Sequence, residues 1–184
     1  MHRCATTLLA LGLALAMPSP ILAAEPPPLR AVSAVDLQRY LGKWYEIARL
    51  PRFFQRQCAS DTVAEYKLRG DGAVTILNTC LKANGEVSEA EGTARIEKGS
   101  NNAKLKVSFL PPLSGEYWII ALDRNYQWSV VGSPNRNSLW ILAREPKLTQ
   151  DKTDQALKAA REQGFDVAKL VFTPHGRASR AAQK

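Results

Sequence analysis

Few side chains in this 184-residue sequence are suited to nucleophilic, acid–base or metal chemistry. The cysteines are Cys4, Cys58 and Cys80, and the histidines are His2 and His175. Acid–base catalysis most often uses a positioned histidine, and none lies between Arg3 and Pro174. Glu86, Glu89 and Glu91 crowd one short segment, which reads as a solvated outer face rather than a catalytic carboxylate pair. Gly70-Asp71-Gly72 is too short to cradle a phosphate and reads as a turn. Two isolated cysteines without a neighbouring histidine do not make a zinc site, and no motif calls for a cofactor. The chain is therefore expected to be a binding protein rather than an enzyme, with Cys58 and Cys80 as a structural disulfide.

That disulfide needs an oxidising compartment, and the N-terminus supplies the route. Arg3 precedes the uncharged run Ala5 to Ala16, and Met17-Pro18-Ser19-Pro20 leads into Ile21-Leu22-Ala23-Ala24. Residues 1–24 read as a secretory signal peptide cleaved after Ala24. Leu22 is bulky for its place before the cut, so a site a few residues away stays open. Cys4 precedes the apolar run and cannot serve as a lipoprotein anchor. After export Cys58 and Cys80 are the remaining cysteines, and a bridge between them is favoured over two free thiols. Residues 25–34 begin Glu25-Pro26-Pro27-Pro28 and read as an extended linker.

The net charge of +8 excludes less than it first suggests. Arg3 lies in the signal, and Arg177, Arg180 and Lys184 fall in a basic, flexible tail over 175–184 with no acid among them. The rest carries mixed signs without the basic stripe of a nucleic-acid binder, so no nucleic-acid partner is expected. The tail leaves room for peripheral contact with an anionic membrane.

The elements that must position any site are strands. Segments rich in Val, Ile, Thr, Tyr and Trp alternate with Gly, Asn, Asp and Pro clusters, predicting strands over 43–50, 61–68, 73–80, 87–98, 103–109, 116–122, 127–131 and 138–144. The pattern fits an antiparallel barrel or sandwich, and the short connections permit only antiparallel neighbours, so the fold class is all-β: a meander whose closure into an eight-stranded up-and-down barrel would leave no exposed edge. The long connection, Pro51 to Ser60, contains Phe53 and Phe54, which either cover a cavity or plug local core. Thr149 is placed to cap a helix over about 150–163 that Gly164 ends, packed outside the barrel. A short strand over 169–173 closes the fold.

Gly42-Lys43-Trp44-Tyr45-Glu46, preceded by Asp36-Leu37 and Tyr40-Leu41, resembles the Gly-x-Trp opening of the lipocalin barrel. Leu122-Asp123-x-x-Tyr126 and Leu139-Trp140-Ile141-Leu142-Ala143-Arg144 match the second and third signature regions in order and spacing. The sequence is similar to lipocalins over roughly residues 35–173, above all to the bacterial subgroup, with apolipoprotein D an animal relative. The resemblance implies that Arg144 stacks on Trp44 to seal one end of the barrel, a contact of about 0.5–2 kcal/mol. It also places Tyr66 inside, and with it Ala64, and Asn78, and with it Ile76 and Val74. Leu105, Val107 and Phe109 alternate with Lys104, Lys106 and Ser108, which turns them inward. Trp140 and Leu142 share the parity of Arg144, and Tyr117 is a further inward candidate. The expected site is an apolar chamber with Asn78 and the Tyr66 and Tyr117 hydroxyls as polar anchors.

Two functions follow. In one, resemblance to bacterial lipocalins implies a periplasmic carrier of a fatty acid, a lysophospholipid or another small hydrophobic ligand, associated peripherally with the outer membrane. In the other, the barrel is filled and its loops or outer face bind a protein partner or form a homodimer. A few lipocalins are enzymes, one of them an isomerase that uses a barrel thiol, and that analogy requires Cys58 or Cys80 to be reduced.

Overall fold

Turn chemistry and alternation resolve into one closed sheet in the computed structural model, which describes residues 27–176. The strands are β1 (Gly42–Arg49), β2 (Cys58–Leu68), β3 (Val74–Lys82), β4 (Val87–Ile96), β5 (Lys104–Leu110), β6 (Leu113–Leu122), β7 (Trp128–Gly132) and β8 (Leu139–Ala143). Each pairs antiparallel with its sequence neighbour, and β1 pairs with both β2 and β8, so the meander closes into the expected barrel. Trp44 lies opposite Ala64 on one side of β1, and Glu46 lies opposite Leu142 on the other. At the Asn84-Gly85 turn, Gly85 has φ +89°, a region costly for other residues, and Asn84 Oδ1 accepts from the Glu86 N–H at 3.1 Å.

The strands run further than the sequence suggests, most of all at the starts of β2 and β6. β2 starts at Cys58 rather than Asp61, and β6 starts at Leu113 because the β5–β6 hairpin continues to the pair Leu110–Leu113 after an irregularity beyond Val107. Two apolar clusters then divide the wall. The inner one draws Trp44, Tyr66, Ile76, Ala94, Leu105, Ile119, Val131 and Leu142 from all eight strands. The outer one joins Ile47, Trp128, Val130, Leu139 and Ile141 to Ala156, Ala160 and Phe165.

That outer cluster holds the C-terminal helix, preceded in the chain by a short helix α1 (Leu37–Tyr40) and followed by a ninth strand. Helix α2 (Gln150–Glu162) has Thr149 as N-cap, its hydroxyl accepting from the Lys152 N–H at 3.4 Å. It ends at Gly164, whose φ is +81°, and the Phe165 N–H returns to the Ala160 carbonyl at 3.1 Å. Ala156 and Ala160 are fully buried, so small side chains let α2 lie close to the sheet. β9 (Val171–Phe172) pairs with the upper end of β1, and Asp61 N–H donates to the Pro174 carbonyl at 2.8 Å. The C-terminal segment thus fills the gap where β1 and β2 diverge. His175, assigned to the tail by its sequence, approaches the Glu46 carbonyl at 2.8 Å and packs edge-on against Tyr45.

The Pro-rich segment is docked as well as extended. Leu29 and Val35 are buried, Val32 N–H donates to the Ile119 carbonyl at 2.8 Å, and Val35 N–H donates to the Asn101 carbonyl at 2.9 Å. Residues 1–24 of the expected signal and the tail beyond Gly176 lie outside the described residues.

Cys58 and Cys80 form the expected disulfide across the β2–β3 hairpin, with Cα atoms 5.5 Å apart and 22 residues of separation. A loop of that size restricts the unfolded chain by about 3 kcal/mol. Reduction should lower the unfolding free energy by that amount in urea titrations with and without dithiothreitol. An unchanged midpoint after both thiols become titratable would contradict this.

Candidate ligand-binding site

The lower end of the barrel is sealed by aromatic rings. Trp44 is fully buried on β1, and its indole N–H donates to the Tyr40 carbonyl at 2.7 Å. The Arg144 guanidinium sits 3.8 Å from the Trp44 ring centroid, where the sequence places it, and also donates to the Lys43 and Arg39 carbonyls. Cation, ring and chain ends are thereby locked together at the point of closure.

Above this seal lies a chain of phenols. The Tyr66 hydroxyl is 2.9 Å from that of Tyr117, which is 2.9 Å from that of Tyr40, which is 3.2 Å from Ser129 Oγ. Each hydroxyl has one proton to give, so the chain is satisfied if Tyr66 donates to Tyr117, Tyr117 to Tyr40 and Tyr40 to Ser129. Burial pushes Tyr40 up to about 12 and raises Tyr66 and Tyr117 as well, keeping all three neutral. The Tyr66 and Tyr117 hydroxyls, expected as ligand anchors, therefore serve each other first. Their rings form a floor.

The next row upward is different. Asn78 lies between Ala64 on β2 and Ala90 on β4, and Ile76 lies opposite Gly92. Tyr66 and Ile76 keep 5% and 2% of their surface exposed, whereas Ala64 and Asn78 are only half-buried and Ala90 is exposed. All three share the inward parity of Tyr66 and Ile76. Side chains that face the axis of a closed barrel and stay accessible border open space. The Asn78 carboxamide makes no hydrogen bond among the described residues, so its donors and acceptor point into that space unclaimed.

The remaining expected lining residues take clear places. Val74 and Leu105 are buried in the inner cluster, Leu142 joins them, and Val107, Tyr117 and Trp140 pack against it. Phe109 stands at the mouth, 42% exposed, with its ring so close over Gly92 that a Cβ there would lie 2.7 Å from it. Ala90, Gly92 and Tyr40 were not singled out from the sequence. For the first two the signal existed: Glu89 and Glu91 are exposed as expected, and alternation then turns the small residue after each of them inward.

A polar group at the mouth was also missed. Glu46 is 3% exposed, accepts from Gln55 Nε2 at 2.8 Å and Thr173 Oγ1 at 2.6 Å, and pairs with Arg49 Nε at 3.3 Å. Gln55 Oε1 accepts from the Trp140 indole N–H at 3.0 Å. One glutamine thus ties the β1–β2 loop to the barrel wall, with Phe53 and Phe54 on a 3₁₀ turn (Phe53–Gln55) that leaves them 72% and 45% exposed. Neither ring plugs the core.

Burial holds the Glu46 pKa above the usual carboxylate range despite Arg49. A raised folded-state pKa contributes stability that is complete below the unfolded value and lost as pH rises through the folded one. Relative to Glu46→Gln, the native protein should therefore lose stability from about pH 4.5 upward. Urea midpoints of both proteins from pH 4 to pH 8 check this, and parallel curves would refute it.

Comparison with known proteins agrees with this geometry. Residues 35–175 match the family model for the lipocalin-like domain. Outer membrane lipoprotein Blc of Vibrio cholerae is 41% identical over 149 residues, covering 80% of this chain and 86% of that protein. Bovine apolipoprotein D is 33% identical over 147 residues, covering 75% of this chain and 76% of that protein. Among solved structures, insecticyanin from the tobacco hornworm Manduca sexta superposes with a TM-score of 0.67 at 22% identity, covering 85% of this chain and 89% of the other.

Proposed function

This chain belongs to the lipocalin family, and from that premise we propose that it carries a single small amphiphile, a fatty acid, a lysophospholipid or a lipid of similar size, in the upper half of its barrel. The accessible inward row of Ala64, Asn78 and Ala90 above a closed tyrosine floor is the observation that carries this reading. The acyl chain lies against Val107, Leu142 and the phenol rings, and each methylene withdrawn from water contributes about 0.8 kcal/mol before the cost of ordering the ligand. Asn78 offers both a donor and an acceptor to the ligand's polar end. Binding without chemical conversion is the activity this arrangement serves.

The cell envelope is the proposed setting, supported by the apolar N-terminal run, the disulfide and the likeness to an outer membrane lipoprotein. Contact with a membrane is peripheral in this reading. Native mass spectrometry of the protein purified from its host, followed by organic extraction, tests the proposal. One equivalent of a fatty acid or lysophospholipid is expected. A ligand-free mass that stays unchanged after incubation with a lipid panel would overturn it in favour of a filled barrel acting through its surface.

A further inference from the structure

A second cavity, of about 250 Å³, lies outside the barrel wall, between the end of β1, the β1–β2 loop and β9. Its walls are Arg49, Pro51, Arg52, Phe53, Arg56 and Val171, none of them among the inward-facing set. Three arginines line this one small space; the Arg49 head is held by Glu46 and by the Gln55 carbonyl, and Glu46 is in turn shared with Gln55 and Thr173. Arg52 and Arg56 form no ion pair among the described residues. The Arg52 head is fixed, with one terminal nitrogen on the Asn137 carbonyl at 3.1 Å and its plane near the Phe54 ring, yet its Nε is buried with no acceptor. Arg52 and Arg56 thus leave two positive charges beside the cavity that no carboxylate among the described residues answers, and an anion brought there would gain charge-assisted hydrogen bonds.

The apolar rim says which anion. Phe53 is 72% exposed and stacks edge-on against Phe54, which is 45% exposed, while Val171 is 46% exposed on the other side of the cavity. A soluble phosphate has no use for exposed rings, but a bilayer surface offers phosphates at the level where aromatic side chains insert. We propose that this loop is a docking site for an anionic phospholipid surface, in which Arg52 and Arg56 grip a headgroup phosphate while Phe53 and Phe54 enter the acyl boundary. The site extends the peripheral membrane contact proposed above and is independent of whether the barrel is loaded.

Partitioning of the purified protein onto vesicles of phosphatidylglycerol and phosphatidylcholine, against phosphatidylcholine alone, is the test. Wild type should prefer the anionic vesicles, and Arg52→Gln with Arg56→Gln should cut that partitioning roughly thirtyfold, at about fivefold per basic side chain. Arg56→Gln alone should cost about fivefold, and since Arg56 is exposed it reads the site even if the Arg52 change disturbs the loop. Lys98→Gln with Arg124→Gln, which removes the same charge at the opposite end of the barrel, should leave binding within about twofold, because a charge turned away from the surface by more than a Debye length is screened. Phe53→Ser should weaken binding to both vesicle types. Equal losses in the two double variants, or wild type that binds inorganic phosphate but shows no preference for anionic vesicles, would overturn the site. The mass of extracted barrel lipid should be the same in every variant, which separates failure here from failure of lipid carriage.

Discussion

Trp44→Ala is expected to lower the unfolding free energy by about 4 kcal/mol and the melting temperature by roughly 10 °C for a domain of this size. The indole is fully buried, touches Tyr40 at 4.9 Å between ring centroids and lies under Arg144 at 3.8 Å. Truncation removes the largest buried side chain of the inner cluster, leaves the Tyr40 carbonyl without its 2.7 Å donor and strips the guanidinium of its aromatic surface. Arg144→Ala should cost less, about 2 kcal/mol, because it forfeits the cation–ring contact and two hydrogen bonds to backbone carbonyls without opening a comparable cavity. Denaturant unfolding of the two variants checks both the size and the order. A Trp44→Ala loss below about 1 kcal/mol would mean that the closed end is not held by this residue.

The parts of the molecule that were legible in the sequence are those fixed by local chemistry. Thr149 and Gly164 bracket α2 because capping and left-handed geometry are properties of a few consecutive residues. Alternation set Leu105 and Val107 in the inner cluster while Phe109 ended exposed at the mouth, and the Gly-x-Trp segment with Arg144 gave the point of closure. What escaped depends on pairs distant in sequence. Tyr40, Tyr66 and Tyr117 meet only when α1, β2 and β6 share one interior, so no spacing announces that their hydroxyls satisfy each other. Glu46, Gln55, Trp140 and Thr173 come from four separate parts of the chain, so although alternation from Trp44 turns Glu46 inward, no spacing announces the partners that hold its carboxylate. The stretch 25–34 read as a linker because prolines hide strand periodicity, although Leu29 within it was apolar enough to dock.

Filling the chamber should abolish carriage while leaving the barrel standing. Ala64→Phe with Ala90→Phe places two rings on either side of Asn78, where the inward row is still accessible, so the added volume enters open space rather than packed core. An eight-stranded barrel holds one small ligand at most. Two phenyl rings would displace about five methylenes of an acyl chain, and at about 0.8 kcal/mol each the loss is about 4 kcal/mol, close to a thousandfold in Kd. Stability should change little or rise, because the rings bury apolar surface against Val107 and Leu142 and the tyrosine floor below remains untouched. Asn78→Leu serves as the companion variant. It keeps the chamber nearly the same size and removes the polar anchor, so it should weaken amphiphile binding by about tenfold, the worth of one hydrogen bond to a ligand head, and hardly affect a purely apolar probe. Titration of a fluorescent fatty acid and of an apolar dye into the three proteins, with denaturant unfolding beside it, reads these effects. Undiminished affinity in the double phenylalanine variant would place the lipid outside the barrel, and equal losses for apolar and amphiphilic probes in Asn78→Leu would deny Asn78 its part in holding the head.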